Sequence, residues 1–223
     1  MIIYKIHIVK LYKSFCYYLV KSRQETTKFD FKLFLKIWAN DHLLKKSPLD
    51  ANLPWMPYSA IFELNSIIKP NFNILETGCG GSTIFFLKNS QSVISIEHDE
   101  KWIQKLRKHP QIAKQNAEWQ LICTPISDLS ENKLRTNYLD SLRIQKDNSF
   151  DLICIDGRLR SKSLILASQK LRDGGFLILD NADRDDYKEG IEFINRLGWQ
   201  SKEMGGICYG YNWDSYATIW QKP

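Results

Sequence analysis

The sequence predicts an α/β fold with a mostly parallel sheet of seven strands, the last of them antiparallel, behind an N-terminal helical extension. Three observations carry this. From Trp55 onward, short β-rich runs alternate with helical patterns, as strands joined by crossover helices require. The alternation opens on Ile74-Leu75-Glu76-Thr77-Gly78-Cys79-Gly80-Gly81-Ser82-Thr83, a strand that runs into a glycine turn and then a helix. The last two strand-like runs have no helix between them, so they pair antiparallel.

The elements follow in chain order. Ile8, Leu11, Tyr12, Phe15, Tyr18 and Leu19 share one helical face with Lys10, Lys13 and Lys21 roughly opposite, a basic amphipathic pattern; the alternation from Tyr4 to Ile8 also suits a short strand. Such a helix packs on its own domain or a second subunit, or lies on a membrane surface with its lysines at anionic headgroups. A second amphipathic stretch places Phe31, Phe34, Leu35 and Trp38 on one stripe before Lys45-Lys46-Ser47-Pro48 ends it. Residues 1–54 therefore read as a basic extension and 55–223 as the main domain. A helix starts at Pro57 and is closed by Pro70. Strands are expected at Asn73 to Thr77, Ser92 to Glu97, Glu118 to Cys123, Phe150 to Ile155, Gly175 to Leu179, Trp199 to Met204 and Ser215 to Gln221. Helices are expected at Ser82 to Lys88, Glu100 to Lys108, Ser161 to Leu171 and Tyr187 to Leu197, the last closed by Gly198.

Composition narrows the class. With 43% hydrophobic and 25% charged residues in 223, the chain can bury one core and a modest extension. The net charge of +6 resolves into +7 over residues 1–48 and −1 over the rest, so the domain itself is close to neutral. That argues against a broad phosphate-tracking surface and against nucleic acid as the substrate. The 5 cysteines are scattered, with no Cys-x-x-Cys pair, which disfavours a zinc ribbon or a disulfide scaffold and fits a reducing, cytoplasmic setting. Charges interrupt the apolar opening from Met1 to Val20, so neither a membrane span nor a cleaved leader is expected.

The glycine turn carries the chemistry. Its glycines allow a ligand close to the backbone, and the helix that follows offers free N–H groups. A dinucleotide fingerprint asks for Gly or Ala where Thr83 stands, and does not ask for the acid at Glu76. An acid two residues before the first glycine resembles the loop of class I S-adenosylmethionine (SAM)-dependent methyltransferases, whose Rossmann-like sheet matches the predicted strand order. The resemblance runs from about Trp55 to the C-terminus. It implies that Glu76 acts through the loop on the methionine part of the cofactor, with Thr77, Gly78, Gly80 and Ser82 lining the site. It assigns Glu97, at the second strand end beside His98, to the ribose hydroxyls, although an acid 19 residues after Gly78 suits a nicotinamide cofactor equally. Asp128 is the candidate for the adenine contact.

The fourth strand ends in Asp156-Gly157-Arg158 and the fifth in Asp180-Asn181. This pattern resembles the catechol and caffeoyl-CoA O-methyltransferases, and implies a Mg²⁺ ion on Asp156, Asp180 and Asn181. Those enzymes carry a catalytic Lys where this chain has Leu159 between Arg158 and Arg160. Activation then falls to the metal or to Asp156 as base, with Arg158 assigned beside it or the arginines meeting an acidic acceptor. Asp156 and Asp180 capping helices and pairing with arginines is the purely structural alternative. Pro54 to Tyr58, Asp156 to Arg158 and Gly198-Trp199 resemble a branch of the family of unassigned substrate.

These readings converge on O-methylation of a small molecule or glycan. The alternatives are a non-catalytic binding protein on the same fold, an RNA methyltransferase using residues 1–48 as an arm, and a nicotinamide-dependent oxidoreductase. Trp55 and Tyr58 suit either a simple core helix or part of a lid on the cofactor, and Met204 to Asp214 reads as a substrate-facing loop.

Overall fold

The computed structural model of the chain describes residues 31–124, 131–210 and 214–223. The basic segment before residue 31 and the candidate Asp128 lie outside the described residues. Helix α1 (Phe31–Trp38) runs into a π-helical turn (Ala39–Leu43) and is followed by the short α2 (Pro48–Ala51) and by α3 (Tyr58–Ile67). Then come β1 (Asn73–Thr77), α4 (Gly81–Asn89), β2 (Ser92–Glu97), α5 (Glu100–Arg107), β3 (Glu118–Cys123), α6 (Glu131–Arg143), β4 (Phe150–Ile155) and α7 (Arg160–Lys170). The chain closes with β5 (Leu171–Asp180), α8 (Lys188–Arg196), β6 (Gln200–Ile207) and β7 (Asp214–Gln221).

The seven strands form one sheet in the order β3-β2-β1-β4-β5-β7-β6. Strand β7 runs antiparallel to both of its neighbours, and the other pairings are parallel. Because β1 and β4 are covered on both faces, they read as nearly unbroken apolar runs. Their side chains still divide by the period of two. Ile74, Leu152, Cys154 and Ile178 join the core on one face, while Leu75, Ile153, Ile155, Leu177 and Leu179 join the core on the other. Phe34, Ile37 and Trp38 of α1 belong to the first of these cores. Asp41 in the π-helical turn accepts the Tyr58 hydroxyl at 2.5 Å and the Gly210 N–H at 3.1 Å, fastening the extension to the domain.

Three features depart from the expectations above. Helix α6 lies where no helix was expected, with Tyr138, Leu139 and Leu142 buried; the spacing of four between Tyr138 and Leu142 is the signal, diluted by polar neighbours. Strand β5 starts at Leu171 rather than Gly175, with a register shift against Phe150 and Leu152 of β4. Met204 to Ile207 continues β6, paired to β7, and is not a loop. Tyr58 takes the core-helix alternative, buried and held by Asp41. Among the described residues no helix is long and apolar enough to cross a membrane.

Candidate functional site

The parallel order brings the carboxyl ends of β1, β2 and β4 side by side, the place where open α/β sheets bind ligands. Glu76, fully buried at the end of β1, does not face solvent. Its Oε1 accepts the hydroxyls of Thr83 at 2.5 Å and Ser95 at 2.6 Å, and its Oε2 accepts that of Ser82 at 2.8 Å. Thr83 in turn accepts the Gly80 N–H at 2.9 Å. The acid therefore ties the first turn of α4 and the glycine loop to β1 and β2. Burial pushes its carboxyl up to about 7 against the pull of these hydroxyls. The same contacts explain Thr83, which replaces the small residue of a dinucleotide loop with a hydroxyl that bridges Gly80 and Glu76.

Gly78 sits in the left-handed region with φ of 82°, and its N–H donates to Ile96 O at 2.8 Å. A side chain there would press on the Asp156–Gly157 backbone at 3.0 Å, so the residue type is set by a turn and by a close approach together. Thr77 is buried; its carbonyl accepts the Asp156 N–H at 3.0 Å, joining the β1 and β4 ends. Gly81, which sequence reasoning passed over, has no room for a Cβ because Pro48 O would lie 2.5 Å away.

Glu97 closes β2 with its carboxylate turned toward the glycine loop. Oε2 accepts the Cys79 N–H at 3.0 Å, and Oε1 accepts those of His98 at 2.7 Å and Asp99 at 2.9 Å. His98 Nδ1 lies 2.6 Å from the same Oε1. Burial works against the charge, but the imidazole and the three N–H groups outweigh it and hold the carboxyl at about 2. It is thus a fixed anion at the ligand edge of the sheet. On its far side His98 Nε2 accepts the Arg158 Nε–H at 3.1 Å, a bridge from the end of β2 to the loop after β4.

These groups line one cavity of about 940 Å³. Its lining takes in the loop from Gly78 to Ser82, Glu97, His98 and Trp102 after β2, and Asp156, Gly157, Arg158 and Arg160 after β4. Asp41, Lys45, Lys46 and Trp55, which precede α3, complete the lining. Trp102 is anchored by its Nε1–H on Cys79 O at 2.6 Å, with Lys105 Nζ 5.1 Å from its ring centre. Trp55, also among the lining residues, is half exposed.

Asp156, Asp180 and Asn181 are brought together, but around a guanidinium. Arg160 Nη2 donates to Asp156 Oδ1 at 2.6 Å, and Nη1 contacts Asn181 Oδ1 at 3.2 Å and Asp180 Oδ2 at 3.4 Å. The oxygens expected to hold Mg²⁺ thus face a positive charge that belongs to the chain. Among the described residues no group of three or more His, Cys, Asp or Glu is arranged to hold a metal. Burial and the neighbouring Asp156 raise the Asp180 carboxyl well above its usual range. Asp180 Oδ1 is buried without a hydrogen-bond partner among the described residues, a position an ionised oxygen tolerates badly. Asp156 is also raised, by burial, with Arg160 opposing.

No protein-family model and no curated protein matches the sequence. Solved structures do. An O-methyltransferase from Bacillus cereus in complex with SAH is 20% identical, with 89% of this chain and 94% of that one covered and a TM-score of 0.55. The O-methyltransferase TomG from Streptomyces achromogenes, in complex with SAM, is 15% identical, with coverage of 92% and 95% and a TM-score of 0.55. Spermidine synthase from Thermotoga maritima is 17% identical, with 70% of this chain covered and a TM-score of 0.51; the chain spans only 55% of that protein's length. At these identities the likeness is one of fold: the chain has the Rossmann-like sheet of the class I methyltransferases.

Proposed function

We propose that the chain is a SAM-dependent methyltransferase that acts on an oxygen of a small molecule or glycan. One observation carries the reading: the glycine loop, the anionic Glu97 and the Asp156 strand end open into one cavity. SAM, when bound, supplies an activated methyl group on a sulfonium leaving group. Glu97 receives the ribose hydroxyls, and Gly78, Gly80 and Ser82 let the cofactor lie against the backbone. Glu76 and Thr77 act from behind by fixing that loop, and His98 flanks the ribose. Asp128 remains the candidate for adenine.

Asp156, at the acceptor end, takes the hydroxyl proton as the oxygen receives the methyl group. Burial raises this carboxyl, with Arg160 opposing, and a raised carboxylate accepts a proton more readily. Arg158, Lys45 and Lys46 line the same cavity, and no ion pair with a described carboxylate engages them. They favour an acceptor that carries an acidic group, such as a sugar acid or a phosphate. A cytoplasmic setting, with the basic extension against a membrane surface or a second subunit, belongs to the same reading.

Titration calorimetry tests it. SAM and SAH are expected to bind and NAD is not; binding of NAD without SAM overturns the reading. Labelled SAM with a panel of hydroxylated acceptors, acidic and neutral, then identifies the substrate.

A further inference from the structure

The cluster at the ends of β4 and β5 has the donors of a divalent-cation site and is built around a side chain instead. Besides its contacts with the Asp156, Asp180 and Asn181 side chains, Arg160 donates from Nη2 to Asp156 O at 2.8 Å. It also donates from Nη1 to Asp180 O at 2.7 Å and from Nε to Gly157 O at 3.1 Å. All three nitrogens of the fork are used, on the two strand ends and the loop between them. The side chain is only 11% exposed, and the Tyr187 ring centre lies 5.4 Å from the guanidinium carbon. The backbone is bent to bring it there. Leu159, just before Arg160, takes a left-handed conformation with φ of 51°, which is unfavourable for a residue with a Cβ.

We infer that the Arg160 guanidinium is the resident cation of this site, standing where a divalent metal would otherwise be held, so that Asp156, Asp180 and Asn181 bind no metal. The oxygens that would have to close to about 2.0–2.1 Å around Mg²⁺ are spread around a planar fork at hydrogen-bonding distance. A guanidinium neutralises and orients the carboxyls without offering an open coordination position, so Arg160 is a positioning residue. A consequence follows for the acceptor, and it rests on the methyltransferase reading. With no metal to chelate, the acceptor needs one hydroxyl within reach of Asp156, and two adjacent oxygens are not required.

Electron paramagnetic resonance of Mn²⁺ titrated into the full chain tests the assignment without any acceptor. The wild-type protein is expected to leave Mn²⁺ free, and Arg160→Ala to bind it about tenfold or more tightly, with Mg²⁺ competing. Arg160→Lys, which keeps a cation, is expected to bind no better than wild type. Wild-type binding that is lost in Asp156→Asn or Asp180→Asn overturns the inference. So does an Arg160→Ala protein that is folded by circular dichroism and gains no Mn²⁺. If Arg160→Ala does not fold, the wild-type and Arg160→Lys titrations decide. SAM calorimetry with and without EDTA separates the two readings: equal affinity supports both, absence of SAM binding removes the methyltransferase reading alone, and SAM binding that EDTA abolishes removes the resident-cation assignment.

Discussion

Gly78 and Gly157 pack backbone to backbone: a Cβ on Gly157 would lie 2.7 Å from Gly78 N, and one on Gly78 would lie 3.0 Å from Gly157 N. The loops after β1 and β4 therefore meet with no side chain between them, which sets the distance from the glycine loop to Asp156. Gly157→Ala is expected to destabilise the fold by about 1–3 kcal/mol, the usual cost of overpacking, because its Cβ would meet the buried Tyr138 hydroxyl and also the Gly78 and Thr77 backbone, which cannot swing away. Gly80→Ala is the control. Its Cβ would meet only the Trp102 ring at 3.6 Å, an ordinary contact, so urea unfolding should place it close to wild type. Equal midpoints for the two variants would contradict this account.

The sheet was legible because its central strands announce themselves. Phe150 to Ile155 is apolar on both faces, and Ile74 to Thr83 carries strand, turn and helix signals in ten residues. Glu97 was legible from its place at the next strand end. What stayed hidden depends on contacts that no local pattern encodes. Pairing of Asp156 and Asp180 with an arginine was legible as an alternative, but Leu159 is a poor left-handed residue on sequence grounds, so the backbone turn just before Arg160 was not. The sequence left Tyr58 between a core helix and a lid, and its partner Asp41, 17 positions earlier, is a contact no local pattern encodes.

Glu97→Ala removes an anion that holds the Cys79 N–H and, on the proposed reading, receives two ribose hydroxyls. SAH affinity is expected to fall by roughly 2–4 kcal/mol, from about 1.5–3 for each hydrogen bond to a charged group with some overlap. Glu97→Gln keeps one acceptor oxygen and should lose less. Calorimetry on both variants checks the order, and unchanged affinity in Glu97→Ala removes Glu97 from the cofactor site.

Glu76 makes stability depend on pH in an unusual sense. Its carboxyl is raised from 4.5 to about 7, so the folded state keeps a proton that the unfolded chain releases. Its contribution is most favourable below pH 4.5 and declines as pH rises to about 7, by roughly 3 kcal/mol at 1.36 kcal/mol per unit. Glu97, lowered to about 2, acts in the opposite sense and in a separate window, losing its contribution as pH falls from 4.5 toward 2. Denaturant unfolding of wild type and Glu76→Gln between pH 4.5 and 7.5 isolates the first effect. The stability difference should shift in favour of the variant as pH rises, and a flat difference refutes the assignment.

Asp41 and Tyr58 offer a test of how the extension is joined to the domain. Tyr58 is 4% exposed and its hydroxyl is held well above its usual titration range, by burial first and then by Asp41, so it remains a donor at any working pH. Tyr58→Phe leaves the buried Asp41 carboxylate with the Gly210 N–H alone, which should cost about 1–3 kcal/mol, the penalty for stranding a buried acceptor. Asp41→Ala strands Tyr58 and Gly210 in the same way. Because the two side chains touch, their effects should be non-additive, with the double variant less damaged than the sum by about 0.5–3 kcal/mol. The same linkage positions the Lys45–Lys46 segment, since Tyr209, beside Gly210, donates its hydroxyl to Lys46 O at 3.2 Å. Tyr58→Phe should therefore also make the peptide bonds around Lys45 and Lys46 more accessible to limited trypsin digestion. Additive unfolding energies together with unchanged cleavage would mean that the extension is held by the apolar packing of Phe34, Ile37 and Trp38, with the buried carboxylate contributing nothing measurable.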